Sequence, residues 1–199
     1  MLDALLVTSA TAAYGALHSL LASSAVKRWF RNRFGPRVDR VYRLAYNALA
    51  TITSFPLIAL LITRPGILLY RLEPPWSAFA IAGQVTSAMA LGIGLLQSDA
   101  LSLSGLRQWS GQHSEAQPLV VHGPYRWVRH PLSTAGLFLI WLTPVMTSGV
   151  LAFNLALTLY VLVGSRLEER RLVAEYGEAY LDYQRRVPGL LPFRIPLRH

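Results

Sequence analysis

Charged side chains are missing from four stretches of the chain: Ala4–Val26, Leu44–Thr63, Trp76–Ser98 and Leu132–Ser165. A bilayer core of ~30 Å takes roughly 20 apolar residues as helix, so each of the first three stretches predicts one crossing. The fourth would form a helix of about 51 Å at 1.5 Å per residue, too long for a single crossing. Pro144 and the turn Thr147-Ser148-Gly149 divide it, because such residues end or kink helices. The pattern therefore predicts an all-α integral membrane protein. It has five transmembrane helices, over about 4–26, 44–63, 76–98, 132–147 and 149–165, the last two a short hairpin.

The pattern changes after Ser165. From Arg166 the segment is polar, with Leu167, Leu172, Val173, Tyr176, Tyr180 and Tyr183 interspersed at helical spacing. Gly177 is placed to cap a helix there and Pro188 to end it. This predicts a helical cap on a single membrane domain covering 1–199. The third apolar run carries Gly83, Ser87, Ala88, Ala90, Gly92 and Gly94, small residues that let helices approach closely in lipid. Arg64-Pro65-Gly66 and Glu73-Pro74-Pro75 bound a short loop, and a longer polar stretch runs from Asp99 to Gln117.

Charge orients this arrangement. Of the 19 Lys and Arg residues, only Arg64 and Arg71 fall on the side of the second loop. The others cluster at 27–43, in the third loop and after Ser165, and the positive-inside rule makes their side cytoplasmic. The amino terminus is then outside and the carboxyl terminus inside, as expected of a bacterial inner-membrane protein. Only Asp3 precedes the first apolar run as a charged side chain, whereas a cleaved signal peptide opens with a basic region. The net charge of +9 belongs to residues flanking the membrane, so anionic lipid headgroups are the expected counter-charges and no nucleic-acid partner is expected. The chain has no cysteine, which excludes disulfides, thiolate metal sites and a cysteine nucleophile; no metal site is expected.

Two polar segments enclose the fourth apolar run. The first, Val121 to Pro131, reads Val-His-Gly-Pro-Tyr-Arg-Trp-Val-Arg-His-Pro; the second opens Leu167-Glu168-Glu169-Arg170-Arg171-Leu172 and runs through Tyr180 to Val187-Pro188. His122-Gly123-Pro124-Tyr125 is a turn signal. Arg129 is a candidate for bidentate pairing with a ligand carboxylate. Glu168 and Glu169 stand at the end of a membrane run, where carboxylates are costly unless solvated or partnered. Glu168 has Arg171 three residues on as an ordinary helix partner, while Glu169 has only Arg166 three residues back. Tyr180 and Tyr183 also suit the interfacial anchoring common for tyrosine. His18 lies within the first run, where a histidine is either a packed group or a functional one.

These segments resemble the membrane-embedded S-adenosylmethionine-dependent methyltransferases, the family of isoprenylcysteine carboxyl, phospholipid and methanethiol methyltransferases. Gly105-Leu106-Arg107-Gln108, Trp141 to Thr147, His18-Ser19-Leu20 and the tail from Leu167 to Pro192 look closest to the methanethiol S-methyltransferase branch. The resemblance implies S-adenosyl-L-methionine as cofactor, held by the segments 121–136 and 166–192. It points to His122, Gly123, Tyr125, Arg129, His130, Glu168, Glu169 and Tyr180. The acceptor side would draw on His18, Arg107, Gln108 and Trp141, with His18, Arg129 and His130 as catalytic candidates. The family commonly continues Arg-His-Pro with a tyrosine two residues on and a glycine two further; here those positions are Ser133 and Ala135.

The expected activity is methyl transfer to a small hydrophobic nucleophile such as a thiol, at the cytoplasmic face of the bilayer. Phospholipid or isoprenylcysteine methylation is the alternative within the family. From another class, a haem-binding membrane protein or isomerase would need histidines on facing helices, and a non-catalytic membrane scaffold would follow if Ser133 and Ala135 disabled the cofactor site.

Overall fold

The structure, a computed structural model, describes residues 2–97 and 119–192. Its helices are α1 (Leu2–Ala22), α2 (Ser24–Phe34), α3 (Val38–Thr63), α4 (Trp76–Gln97), α5 (Pro131–Trp141), α6 (Ser148–Tyr176) and α7 (Glu178–Arg186). Two short strands, β1 (Leu68–Arg71) and β2 (Val145–Thr147), form an antiparallel ribbon. Among the described residues, four helices are long and apolar enough to cross a membrane: Leu2–Ala22, Val41–Thr63, Trp76–Leu96 and Ser148–Tyr176. Large apolar side chains such as Ile52, Phe79 and Leu159 stand exposed along them, as lipid-facing residues do.

The expected count of five spans is corrected to four spans and one short helix. α5 has 11 residues, about 17 Å at 1.5 Å per residue, half of a bilayer core. Its counterpart is longer than the sequence suggested: α6 runs 29 residues without a break at the Ser165–Arg166 polarity boundary. No Gly or Pro occupies that boundary, so the helix carries straight from the apolar run into the polar cap and stops only before Gly177. That glycine has φ +57°, and its N–H donates to Val173 O at 2.9 Å, the predicted cap.

The chain forms two compact units. The first comprises α1 to α3, the ribbon and the opening turns of α6. The buried face of α1 recurs at Val7, Thr11, Gly15 and His18, one stripe of a 3.6-residue period. The α2–α3 turn closes at Gly35, whose φ of +80° suits only glycine readily, and Arg31 pairs with Asp39 across it at 3.6 Å. The expected Thr147-Ser148-Gly149 turn is instead a strand end and a helix start. Ser148 N–H donates to Ile67 O at 2.8 Å, and Leu72 N–H donates to Pro144 O at 2.8 Å. Gly149 permits this approach, since a Cβ there would lie 2.9 Å from Pro65 O.

In the second unit α4 packs on α5 through two of the small residues. A Cβ at Gly83 would meet Leu142 Cδ1 at 2.7 Å, and one at Gly94 would meet Leu132 Cδ2 at 2.5 Å. Gln84 Nε2 donates to Leu139 O at 3.0 Å, which satisfies a polar side chain inside an apolar helix. The rest of α6 and α7 completes this unit.

Candidate active site

The site grows from the Arg-His-Pro turn. Pro131 opens α5, where a missing N–H costs nothing, so Arg129 and His130 are held just outside the helix. Their backbone is tied to the tail: Arg129 N–H donates to Pro188 O at 2.9 Å and His130 N–H to Gly189 O at 3.1 Å. Thr134, one turn into α5, donates through Oγ1 to Leu190 O. The short strip after α7 is thereby laid against the start of α5.

Charge gathers at this junction. Arg129 Nε and Nη2 both donate to Glu169 Oε1 at 2.7 Å, and Nη1 donates to the carbonyls of Gln184 and Val187. His130 Nε2 lies 3.1 Å from the same Glu169 oxygen, and Nδ1 lies 3.4 Å from Glu168 Oε2. The other Glu169 oxygen accepts from Gln184 Nε2 at 3.0 Å. Both ring nitrogens of His130 thus face carboxylates, an arrangement that demands a proton on each. Burial disfavours that charge, but the hydrogen bonds and charges of Glu168 and Glu169 outweigh it and hold the His130 pKa up at about 9. His130 is an imidazolium at neutral pH.

Tyr180 completes the cluster from α7. It is 1% exposed, and its hydroxyl is a buried side-chain polar atom without a hydrogen-bond partner among the described residues. Burial first, then the nearby Glu169 carboxylate, pushes the phenol up to about 12. Its neighbour Tyr183 donates from its hydroxyl to Tyr125 O at 2.7 Å, pinning the turn Gly123–Arg126.

Beside this cluster lies a cavity of about 900 Å³. Arg129, His130 and Glu169 line one end, Leu137, Phe138 and Leu162 the middle, and Trp141 and Thr158 the other end. The expected residues fall into four groups. Arg129, His130, Glu168, Glu169 and Tyr180 come together; of these, Arg129, His130 and Glu169 line the cavity, as does Trp141. Tyr125 contributes its carbonyl, while His122 is exposed beside Gly123 in the turn, and neither His122 nor Gly123 lines the cavity. His18 belongs to the first unit, with Nδ1 3.4 Å from Tyr46 Oη and Nε2 3.3 Å from Thr53 Oγ1. Arg107 and Gln108 lie outside the described residues.

Ser133 and Ala135, the departures from the usual family pattern, are not among the residues lining the cavity. Gln184 and Thr134 were not singled out by sequence reasoning. Thr134 follows His130 by four residues, the spacing that puts two side chains on one helix face, and this signal was there to be read. Gln184 reaches Glu169 across the Gly177 turn, for which spacing gives no cue.

No family model matches the chain, and no solved structure matches it significantly. It is 34% identical over 193 residues to the methanethiol S-methyltransferase of Mycobacterium tuberculosis, covering 92% of this chain and 74% of that one. The methanethiol S-methyltransferase of Pseudomonas sp. is 30% identical over 203 residues, covering 98% and 74%. A shorter match, 36% over 85 residues, joins 41% of the chain to 30% of the protein-S-isoprenylcysteine O-methyltransferase of Mus musculus. Spanning apolar helices, a charged cluster at a cavity mouth and relatives of this kind define a membrane methyltransferase, and so an enzyme. The coverage decides the branch. The chain belongs to the methanethiol S-methyltransferase family.

Proposed function

We propose that the chain transfers a methyl group from S-adenosylmethionine to a small hydrophobic thiol at the cytoplasmic face of the membrane. The observation that carries this reading is the Arg129–Glu169–His130 cluster at the mouth of an apolar cavity. The charged groups suit the donor's polar half: Arg129 for a carboxylate, Glu168 and Glu169 for ribose hydroxyls or an ammonium, and Tyr125 or His130 beside a flat base. Tyr180 fits as well, because a buried hydroxyl without a partner costs on the order of 1–3 kcal/mol until something bonds to it. Gly189 leaves room beside the pair, since a Cβ there would already touch Arg129 Nη2 at 3.4 Å.

When bound, S-adenosylmethionine supplies an electrophilic methyl: the acceptor sulfur's lone pair forms the new carbon–sulfur bond while the old one breaks, its electrons staying on the donor sulfur. The protein's own contribution is alignment and electrostatics. The thiolate is the nucleophile, and cations such as Arg129 and imidazolium His130 lower a nearby thiol's pKa. His130 therefore acts as a cation, and the thiol loses its proton to water before the thiolate attacks. A low-dielectric apolar cavity favours a step that neutralises opposite charges. The ring nitrogens of His18 and His130 are all engaged, so neither stands free as an axial haem ligand.

Radiolabelled methyl transfer, screened over methanethiol and its homologues, phosphatidylethanolamine and prenylcysteine analogues, tests the reading. Thiol turnover supports it; rapid methylation of phosphatidylethanolamine without any thiol turnover would overturn it. The orientation follows from the arginine asymmetry, and it fails if a cysteine introduced at Gly189 labels only from the periplasmic side.

A further inference from the structure

Two cross-links between α5 and α6 bracket the cavity, whose wall residues Phe138, Trp141 and Leu162 are also partly exposed on the outside. At the charged end His130, immediately before α5, meets Glu169 on α6 at 3.1 Å. At the far end Trp141 Nε1, on the last residue of α5, donates to Thr158 Oγ1 on α6 at 3.0 Å. His130 and Trp141 are 11 positions apart, as are Thr158 and Glu169. The facing stretches therefore match in length, about 17 Å at 1.5 Å per residue.

Between these ends the lining changes character. Arg129, His130, Arg166 and Glu169 hold the charges. From Leu137 to Trp141 on α5, and from Leu162 to Thr158 on α6, the lining has no charged group. That uncharged part is too deep for methanethiol. At about 900 Å³ the cavity stands near the top of the range, roughly 300–1,000 Å³, that holds drug-sized ligands. Once a donor occupies the charged end, the remaining slot still runs about 10 Å from Thr134 to Trp141.

We infer that the acceptor is an uncharged thiol with an apolar chain longer than that of methanethiol, lying along this slot, and that the Trp141–Thr158 hydrogen bond sets the longest chain admitted. The inference rests on the thiol reading of the site and names the acceptor that reading leaves open. An indole bridging two helices is a stop with a defined position, because its hydrogen bond and its bulk both fix it. A charged acceptor would meet no counter-charge beyond Ser165.

The test is a series of n-alkanethiols, from methanethiol through butanethiol to octanethiol and dodecanethiol, run on the purified full chain in lipid nanodiscs. The wild type should prefer a chain of intermediate length and lose kcat/KM steeply beyond a cut-off. Trp141→Ala should move that cut-off to longer chains, raising the ratio of kcat/KM for a long thiol over a short one by roughly tenfold, the scale on which an apolar pocket discriminates a methylene. Thr158→Val, which keeps volume but removes the hydrogen bond, and Trp141→Phe, which removes the bond and part of the bulk, should move it the same way by less; they carry the test if the alanine variant does not fold. A wild type that favours methanethiol over every longer thiol overturns the inference, as does a length profile shared by the wild type and every folded variant. Absence of turnover with any thiol removes the thiol reading itself, which separates that failure from this one.

Discussion

His18 and His130 are buried alike, at 5% and 8% exposure, yet their surroundings are opposite. His18 sits within a membrane-crossing helix among neutral partners, Tyr46, Thr53 and the ring of Tyr14 at 4.2 Å. The Thr53 hydroxyl gives its single proton to a backbone carbonyl, Leu49 O at 2.7 Å, so towards His18 Nε2 it accepts. A neutral imidazole satisfies that set. His130, by contrast, stands just before a helix with a carboxylate on each nitrogen and an arginine sharing one of them. Burial of His18 is met by hydrogen bonds to neutral groups, whereas burial of His130 is met by ions gathered at one junction of the second unit, where a ligand can use them.

The comparison can be broken from the charged side first. Arg129→Met should destabilise the protein by about 3 kcal/mol, the low end for removing one partner of a buried ion pair, because both side chains retain some exposure, 14% and 17%, and Glu169 keeps His130 as a partner. Thermal unfolding in detergent reads this, and a loss no larger than that of a surface substitution would deny the pair its role.

Alkaline pH is a second break. The His130 pKa is raised by folding, so the stabilisation is fully present below its ordinary value of 6.5 and is lost as pH rises through about 9. The loss should be about 3 kcal/mol between pH 6.5 and 10. His130→Gln should flatten that part of the stability profile; an unchanged profile would mean that His130 is not charged in the folded protein.

The neutral side should yield the smallest effect. Tyr46→Phe removes one bond to His18 and should cost roughly 0.5–1 kcal/mol, as hydrogen bonds between membrane helices do. The cost should stay constant over the same pH range. A cost that vanishes at either end of that range would make the two histidines alike.

How much of this was legible follows from range. The apolar runs, Gly177 as a cap and the convergence of the Arg-His-Pro and Glu-Glu segments were readable, since each depends on local periodicity, turn chemistry or a motif. The continuity of α6 past Ser165 was not, because a change in polarity looks like a boundary although no residue there breaks a helix. The ribbon Leu68–Arg71 with Val145–Thr147 was hidden for another reason. Its strands are 4 and 3 residues long, and they are made by pairing across a distant stretch of chain, not by alternation within either one. Within the site, the carbonyls of Gln184, Val187, Pro188 and Gly189 are partners that any side chains at those positions would have offered equally, so only tertiary structure reveals them.

The Arg129–His130–Glu169 cluster is proposed to bind the methyl donor. Isothermal titration of S-adenosylhomocysteine into the full chain and into Glu169→Gln tests it most directly. The expected loss is roughly 1.5–3 kcal/mol, or about ten- to hundredfold in Kd, in a variant whose thermal unfolding still shows a cooperative transition. Equal affinity in the two proteins would contradict the claim and move the donor site elsewhere.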